Sequence, residues 1–244
     1  MRMRETGPEQ DAAPERVLSP DRTGERTLEA RLRAAFPQGV TGLIFDCDGV
    51  LVDSKDANIG YYNRLLAEFG RPPMPESFVD YVQMASVNQA FELLFTPEEL
   101  RQIPALTKRV PYSTVSLPLL RLEEGVRDLL ERLLERGVRL AVHTNRGSGV
   151  WDVLDMFSLR GFFDPVMTVE DVAPKPDPEG VRRILAAWGA RPGEVGFVGD
   201  SSTDAGAAAG AGVPLLAYRN PALAAAVHVD DFMRLGGALT ALKP

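Results

Sequence analysis

Residues 42–54 read GLIFDCDGVLVDS, a short apolar run that ends on two carboxylates, Asp46 and Asp48, one residue apart. An extended strand sends alternate side chains to opposite faces, but a turn begun at Gly49 lets both carboxylates crowd one mouth. Two like charges that close call for a positive partner. The pair is the first candidate site, and the chain on either side shows what kind of sheet carries it.

Downstream of residue 122 the pattern alternates. EEGVRDLLERLLERG places Val126, Leu129, Leu130, Leu133 and Leu134 on one helical stripe, stops at Gly137 and hands over to the apolar run VRLAVHT. A helix over 150–157, a strand in PVMTV, a helix over 179–188, a strand in VGFVGD, a small-residue helix in DAGAAAGAG and a strand in PLLAY follow. Helix and strand in regular alternation predict a parallel sheet with crossover helices. Between 54 and about 120 no strand is expected. Asp53 or Ser54 opens a helix that stops at Gly70 and Pro72, and further helices include one begun by Thr96 as cap with Pro97 in its first turn. The expected fold is therefore α/β, a three-layer Rossmann-like parallel sheet with an all-helical cap inserted after the first strand. Its divisions are an N-terminal arm over 1–40, a core over 41–54 and 121–244, and a cap over 55–120.

Hydrophobic residues at 45% and charged residues at 25% match ordinary globular usage and argue against wholesale disorder. A formal net charge of -7 argues against nucleic acid or an anionic membrane as the main partner. The one cysteine, Cys47, permits no internal disulfide and suits a reducing compartment. The opening segment has no apolar stretch of signal-peptide length and no run is long enough to span a bilayer, so a cytoplasmic setting is expected. Up to about Arg26 that segment, rich in Arg, Glu, Pro and Gly, reads as a mobile arm, with a short helix over 28–36 after it.

In open parallel sheets the chemistry collects at the carboxyl ends of the strands, and three polar clusters follow strands here: DCDG, TN and GDSSTD. Asp200 and, four residues on, Asp204 can join Asp46 and Asp48 around one hard cation, and Mg²⁺ suits such oxygen ligands. Thr144 and Asn145, followed by RGSG, can hold phosphate oxygens, or Thr144 or Ser148 simply caps the next helix. In the fourth cluster, APKPDP, Lys175 is held extended by Pro174 and Pro176. It is either a surface lysine or a fixed ammonium set beside the carboxylates.

These clusters together resemble the motifs of the haloacid dehalogenase superfamily, in its phosphoglycolate phosphatase and β-phosphoglucomutase-like subgroup with an inserted helical cap. DCDGVLVDS, VHTN, PKPDP and GDSSTD stand in the family's order, and the resemblance spans roughly 41–218. It implies Asp46 as the nucleophile that forms an aspartyl-phosphate and Asp48 as the acid and base. It also implies Mg²⁺ on the carboxylates of Asp46 and Asp200 and the main-chain carbonyl of Asp48, with Asp204 orienting a water on the cation. Lys175, Thr144 and main-chain N–H groups would offset phosphate charge.

The implied activity is Mg²⁺-dependent hydrolysis of a small phosphorylated metabolite, phosphoglycolate-like or a sugar phosphate. The alternatives are a phosphosugar mutase, whose relatives commonly carry Glu-Asp where this chain has Gly199 and Asp200, and a non-catalytic phosphate-ligand sensor. The cap should select the substrate. Its polar candidates are Lys55, Asn58, Gln83, Asn88, Arg101, Lys108 and Arg109, which the sequence does not rank. His143 is read as packing and Cys47 as unactivated, since nothing in the pattern lowers its pKa. Oligomeric state is not legible.

Overall fold

In the computed structural model, which describes residues 22–241, the run 42–45 forms β1 (Gly42–Phe45), with every residue buried. Two short strands, β2 (Val52–Asp53) and β3 (Arg121–Leu122), pair antiparallel outside the main sheet. The main sheet adds β4 (Arg139–His143), β5 (Val166–Met167), β6 (Val195–Gly199), β7 (Leu215–Tyr218) and β8 (Val227–Val229), in the order β5-β4-β1-β6-β7-β8. Every pairing in it is parallel. Phe45 lies level with Val142 and Val198, so Asp46, Thr144 and Asp200 leave the sheet along one edge.

Alternation along β1 splits the apolar residues between two layers. Leu43 and Phe45 pack with α1 (Arg22–Ala35), α8 (Val126–Glu135), α9 (Val150–Met156) and α12 (Phe232–Thr240), while Ile44 packs on the opposite face with α10 (Glu179–Trp188) and α11 (Ser202–Ala211). The stripe expected on α8 is buried at Val126, Leu129, Leu130 and Leu133. Leu134 is 42% exposed, because the next ridge of the helix already faces solvent.

The expected arm needs correction over its second half. The helix predicted over 28–36 begins at Arg22, and Leu28, Leu32 and Phe36 are buried in the same layer as α8 and α12. This part of 1–40 belongs to the core; the portion over 1–21 lies outside the described residues. β8 and α12 were not anticipated in the sequence, and they close the far edge of the sheet.

Between β2 and β3 stand α2 (Lys55–Glu68), α3 (Glu76–Met84), α4 (Val87–Leu94), α5 (Pro97–Leu100), α6 (Ile103–Arg109) and α7 (Tyr112–Val115). Reciprocal caps start two of them, Ser86 with Gln89 and Thr96 with Glu99, the latter followed by Pro97. The helices bury a separate apolar core that includes Tyr62, Leu65, Leu94 and Leu106, with Phe91 edge-on to both Tyr62 and Phe95. The helical unit is thus inserted after the first strand, and its entry and exit pair as one two-stranded hinge. Among the described residues no helix is long and apolar enough to cross a membrane.

Candidate active site

A cavity of about 1170 Å³ lies between the cap and the carboxyl edge of the sheet, lined from the core by Asp46, Asp48, Thr144, Arg146, Lys175 and Asp200. The turn after β1 builds its floor. Leu51 and Val52 both donate to the Cys47 carbonyl, at 2.9 and 3.1 Å, and Gly49 donates to the Val52 carbonyl at 2.8 Å. Gly49 sits at φ +73°, where a side chain is strained, and a Cβ there would lie 2.2 Å from Asp200 Oδ2. Glycine therefore lets the turn approach the second acidic strand end, and Asp46 and Asp48 reach one cavity as the spacing suggested.

Lys175 is a buried ammonium. Its Nζ lies 2.7 Å from Asp46 Oδ1 and 2.6 Å from Asp204 Oδ1, so the reading of it as a surface lysine is excluded. Burial favours the neutral amine, but Asp204 and Asp46 outweigh it and hold the group charged well above its ordinary range. Asn145 fixes the loop that carries it. Its Oδ1 accepts from the Lys175 N–H at 2.7 Å, and its Nδ2 donates to the Lys175 carbonyl at 3.2 Å and to the Met84 carbonyl of the cap at 2.9 Å. The side chain expected to hold phosphate is instead committed to positioning Lys175 and tying the cap to the core. Thr144 lines the cavity, and its Oγ1 accepts from the Arg146 N–H at 3.1 Å, which leaves its own proton to donate.

Asp204 is completely buried. Its Oδ2 accepts from Ser201 Oγ at 2.6 Å and from the N–H groups of Ser201 and Asp200 at 3.0 and 3.2 Å. With Oδ1 on Lys175, both of its oxygens are engaged inside the protein. One carboxylate oxygen from each of Asp46, Asp200 and Asp204 lies within 4.8 Å of the others, and Asp46 and Asp200 are the two that line the cavity. Burial, then the Asp204 charge, pushes the Asp200 carboxyl up to about 7. Burial and neighbouring carboxylates likewise raise Asp46 against the opposing pull of Lys175. Three carboxylates share one ammonium, a donor set and charge deficit that fit a hard divalent cation.

Asp48 is held differently. Arg146 grips it with a fork, Nε to Oδ2 and Nη2 to Oδ1, both at 2.6 Å, and Asn58 Nδ2 adds a bond to Oδ1 at 3.3 Å. Burial raises its carboxyl, but the Arg146 charge and hydrogen bonds, with those of Ser54 and Asn58, hold it below the usual range. From the cap, Tyr112 O–H donates to Asn58 Oδ1 at 2.7 Å and accepts from Arg146 Nη2 at 3.2 Å. Arg146 and Tyr112 are the site residues that sequence reading missed. Arg146 stands in the RGSG turn, and its partner Asp48 lies 98 residues away along the chain, so no local pattern marks its side chain.

Of the cap candidates, Lys55, Asn58, Gln83 and Asn88 line the cavity; Arg101, Lys108 and Arg109 do not, and Arg101 pairs with Glu98 and Arg109 with Glu68 on the outer surface. Cys47 is buried in the core, where desolvation pushes its thiol up and away from thiolate chemistry. His143 packs beneath the sheet edge without a hydrogen-bond partner among the described residues.

In sequence and fold the chain is similar to known proteins. The chain is 33% identical over 186 residues to a phosphoglycolate phosphatase of Caulobacter vibrioides, covering 70% of this chain and 76% of the relative. It is 29% identical over 193 residues to a pyrophosphatase of Bacillus velezensis, covering 71% and 80%. A crystal structure of a haloacid dehalogenase superfamily hydrolase, subfamily IA, from Geobacter sulfurreducens is similar with a TM-score of 0.69 and 36% identity, over 81% of this chain and 98% of that one. The family profile for haloacid dehalogenase-like hydrolases matches residues 43–218, from β1 through β7 and across every cluster described above. This chain belongs to the haloacid dehalogenase-like hydrolase family.

Proposed function

We propose that the protein is a Mg²⁺-dependent phosphatase that hydrolyses a small phosphorylated metabolite through an aspartyl-phosphate on Asp46. The observation that carries this reading is the setting of Asp46: a buried carboxylate at the end of the central strand whose Oδ1 takes Lys175 Nζ and the Cys47 N–H, both at 2.7 Å. Among the described residues no donor is bonded to Oδ2, which is the oxygen left for attack. Asp46 Oδ2 bonds to phosphorus as the bond from phosphorus to the ester oxygen breaks, and Asp48, which takes up a proton from water once the Arg146 fork releases it, gives that oxygen its proton. Asp48 then takes a proton from water, the water oxygen bonds to phosphorus, and Asp46 leaves with phosphate released.

Lys175 and the Thr144 hydroxyl hold the phosphoryl oxygens, while Asn145 acts through the Lys175 main chain. Asp46, Asp200 and the main-chain carbonyl of Asp48 would hold the cation, with Asp204 positioned behind them. When bound, Mg²⁺ offsets the negative charge that the carboxylates and the phosphoryl group bring together. Residues 55–120 act as a lid over a core formed by 41–54 and 121–244, and the lid excludes water once substrate is in place. The setting is the cytoplasm, in keeping with a single buried thiol, Cys47.

Hydrolysis is favoured over mutase chemistry by packing at position 199. A Cβ there would lie 2.4 Å from Asp204 Cβ, so the site as packed has no room for the glutamate that mutase relatives commonly carry. The similarity to the Caulobacter vibrioides phosphoglycolate phosphatase supports a phosphoglycolate-like substrate over a sugar phosphate. The test is phosphate release from a panel of phosphorylated metabolites with Mg²⁺ and with EDTA, for the native protein and Asp46→Asn. Release should require the metal and fall at least about a thousandfold in the variant. Release that survives in Asp46→Asn would refute the covalent route.

A further inference from the structure

Among the described residues lining the cavity only Lys55, Arg146 and Lys175 are cations. Lys175 is bound on both sides by Asp46 and Asp204, and Lys55 is exposed at the mouth. Arg146 is different. Its side chain is 12% exposed, it lies with its guanidinium carbon 5.2 Å from the Tyr112 ring centroid, and its partner is the carboxylate of Asp48. If Asp48 is to serve the ester oxygen, as the proposed phosphatase reading requires, at least one of the two oxygens now gripped by Arg146 must come free. The guanidinium, enclosed between core and cap, then needs another partner, because a buried charge left without one is costly.

A neutral polyol supplies hydrogen bonds but no charge. A carboxylate supplies both, in the planar two-oxygen form that the fork already accepts from Asp48. The ester oxygen sits where Asp48 can reach it and the anion where Arg146 can, and those two groups are now 2.6 Å apart. Only a short spacer between ester oxygen and carboxylate satisfies both at once. We infer that Arg146 is the specificity-determining residue of this site, exchanging Asp48 for a carboxylate carried on the carbon next to the ester oxygen, so that the preferred substrates are phosphate esters of short 2-hydroxy acids. Arg146 thus couples recognition to catalysis, since the group that it selects is the one that frees Asp48.

The inference rests on the phosphatase reading, and one experiment separates the two. The native protein, Arg146→Gln and Arg146→Lys are assayed with Mg²⁺ on 2-phosphoglycolate and on 2-hydroxyethyl phosphate, the same ester with the carboxylate replaced by a hydroxymethyl group. Thermal midpoints and p-nitrophenyl phosphate hydrolysis are measured alongside. The native enzyme should prefer 2-phosphoglycolate in kcat/KM by about a hundredfold or more. Arg146→Gln should lose about a hundredfold on 2-phosphoglycolate, chiefly through KM, and tenfold at most on 2-hydroxyethyl phosphate. Arg146→Lys, with charge but no fork, should fall between. Equal losses on both esters, or a native enzyme with no preference, would overturn the inference while leaving the phosphatase reading intact. No release from any of the three esters by the folded native protein would overturn both.

Discussion

His143 is the only side chain among the described residues whose two ring nitrogens are both buried without a partner. Desolvation, with a smaller contribution from Lys175, depresses its pKa from 6.5 to about 3, so the folded protein keeps it neutral. Between those two values the unfolded chain binds a proton that the folded chain does not, and stability therefore rises with pH across that window and is fully present above 6.5. Acidification from pH 6.5 to 5 should cost about 2 kcal/mol from this residue alone. Asp200, raised to about 7, works in the opposite sense, so the readout is the difference between native protein and His143→Leu in denaturant midpoints at each pH. A difference that does not change from pH 7 to pH 5 would refute the assignment. The acidic residues and Lys175 were legible in the chain because each follows a strand or is framed by prolines. The partners of Arg146 and Asn145 were not, because Asp48 and Lys175 lie 98 and 30 residues away along the chain and meet them only through the sheet order.

At the scale of elements, β4 and α10 meet through a side chain on one and its absence on the other. A Cβ on Gly180 would lie 2.3 Å from His143 Nε2 and 2.7 Å from two ring carbons, and the ring has little room to yield because it stands edge-on to Phe197 of β6, centroids 6.1 Å apart. Gly180→Ala should therefore destabilise the native protein by about 1–3 kcal/mol through overpacking. In a His143→Ala background the same change should stabilise by up to about 1 kcal/mol, because the helix gains alanine's propensity and the clash is gone. Chemical denaturation of the four proteins checks the change of sign, and additive effects would show that helix and ring do not compete for this space. Elements with strong periodicity, such as α8 and α10, were readable from local pattern. β8, three residues long, and the early start of α1 were not, because pairing with β7 and packing of Leu28, Leu32 and Phe36 decide them.

Among the described residues the α/β body has two apolar cores and the cap a third, and that division predicts how the molecule moves. The cap core, with Leu65 completely buried in it, is separate from the layers on either side of the sheet. Its ties to the body are the hinge pair of β2 and β3, the packing of Ala57, Leu117 and Leu120 against the body's core, the bonds to Met84 from Asn145 and Ser202, and the polar chain through Asp48, Arg146, Tyr112 and Asn58. Polar bonds of this kind are readily exchanged for water or ligand, whereas apolar burial within each unit is not. The cap should therefore open, and locally unfold, as a unit of its own. Leu65→Ala removes buried methylene groups from the cap core alone and should weaken that unit by about 2–5 kcal/mol. In amide hydrogen exchange, protection should fall across 55–120 while β1, β4 and β6 keep theirs. A matching loss in those strands would mean that cap and body unfold as one cooperative structure, and a lid that opens on its own would then be untenable.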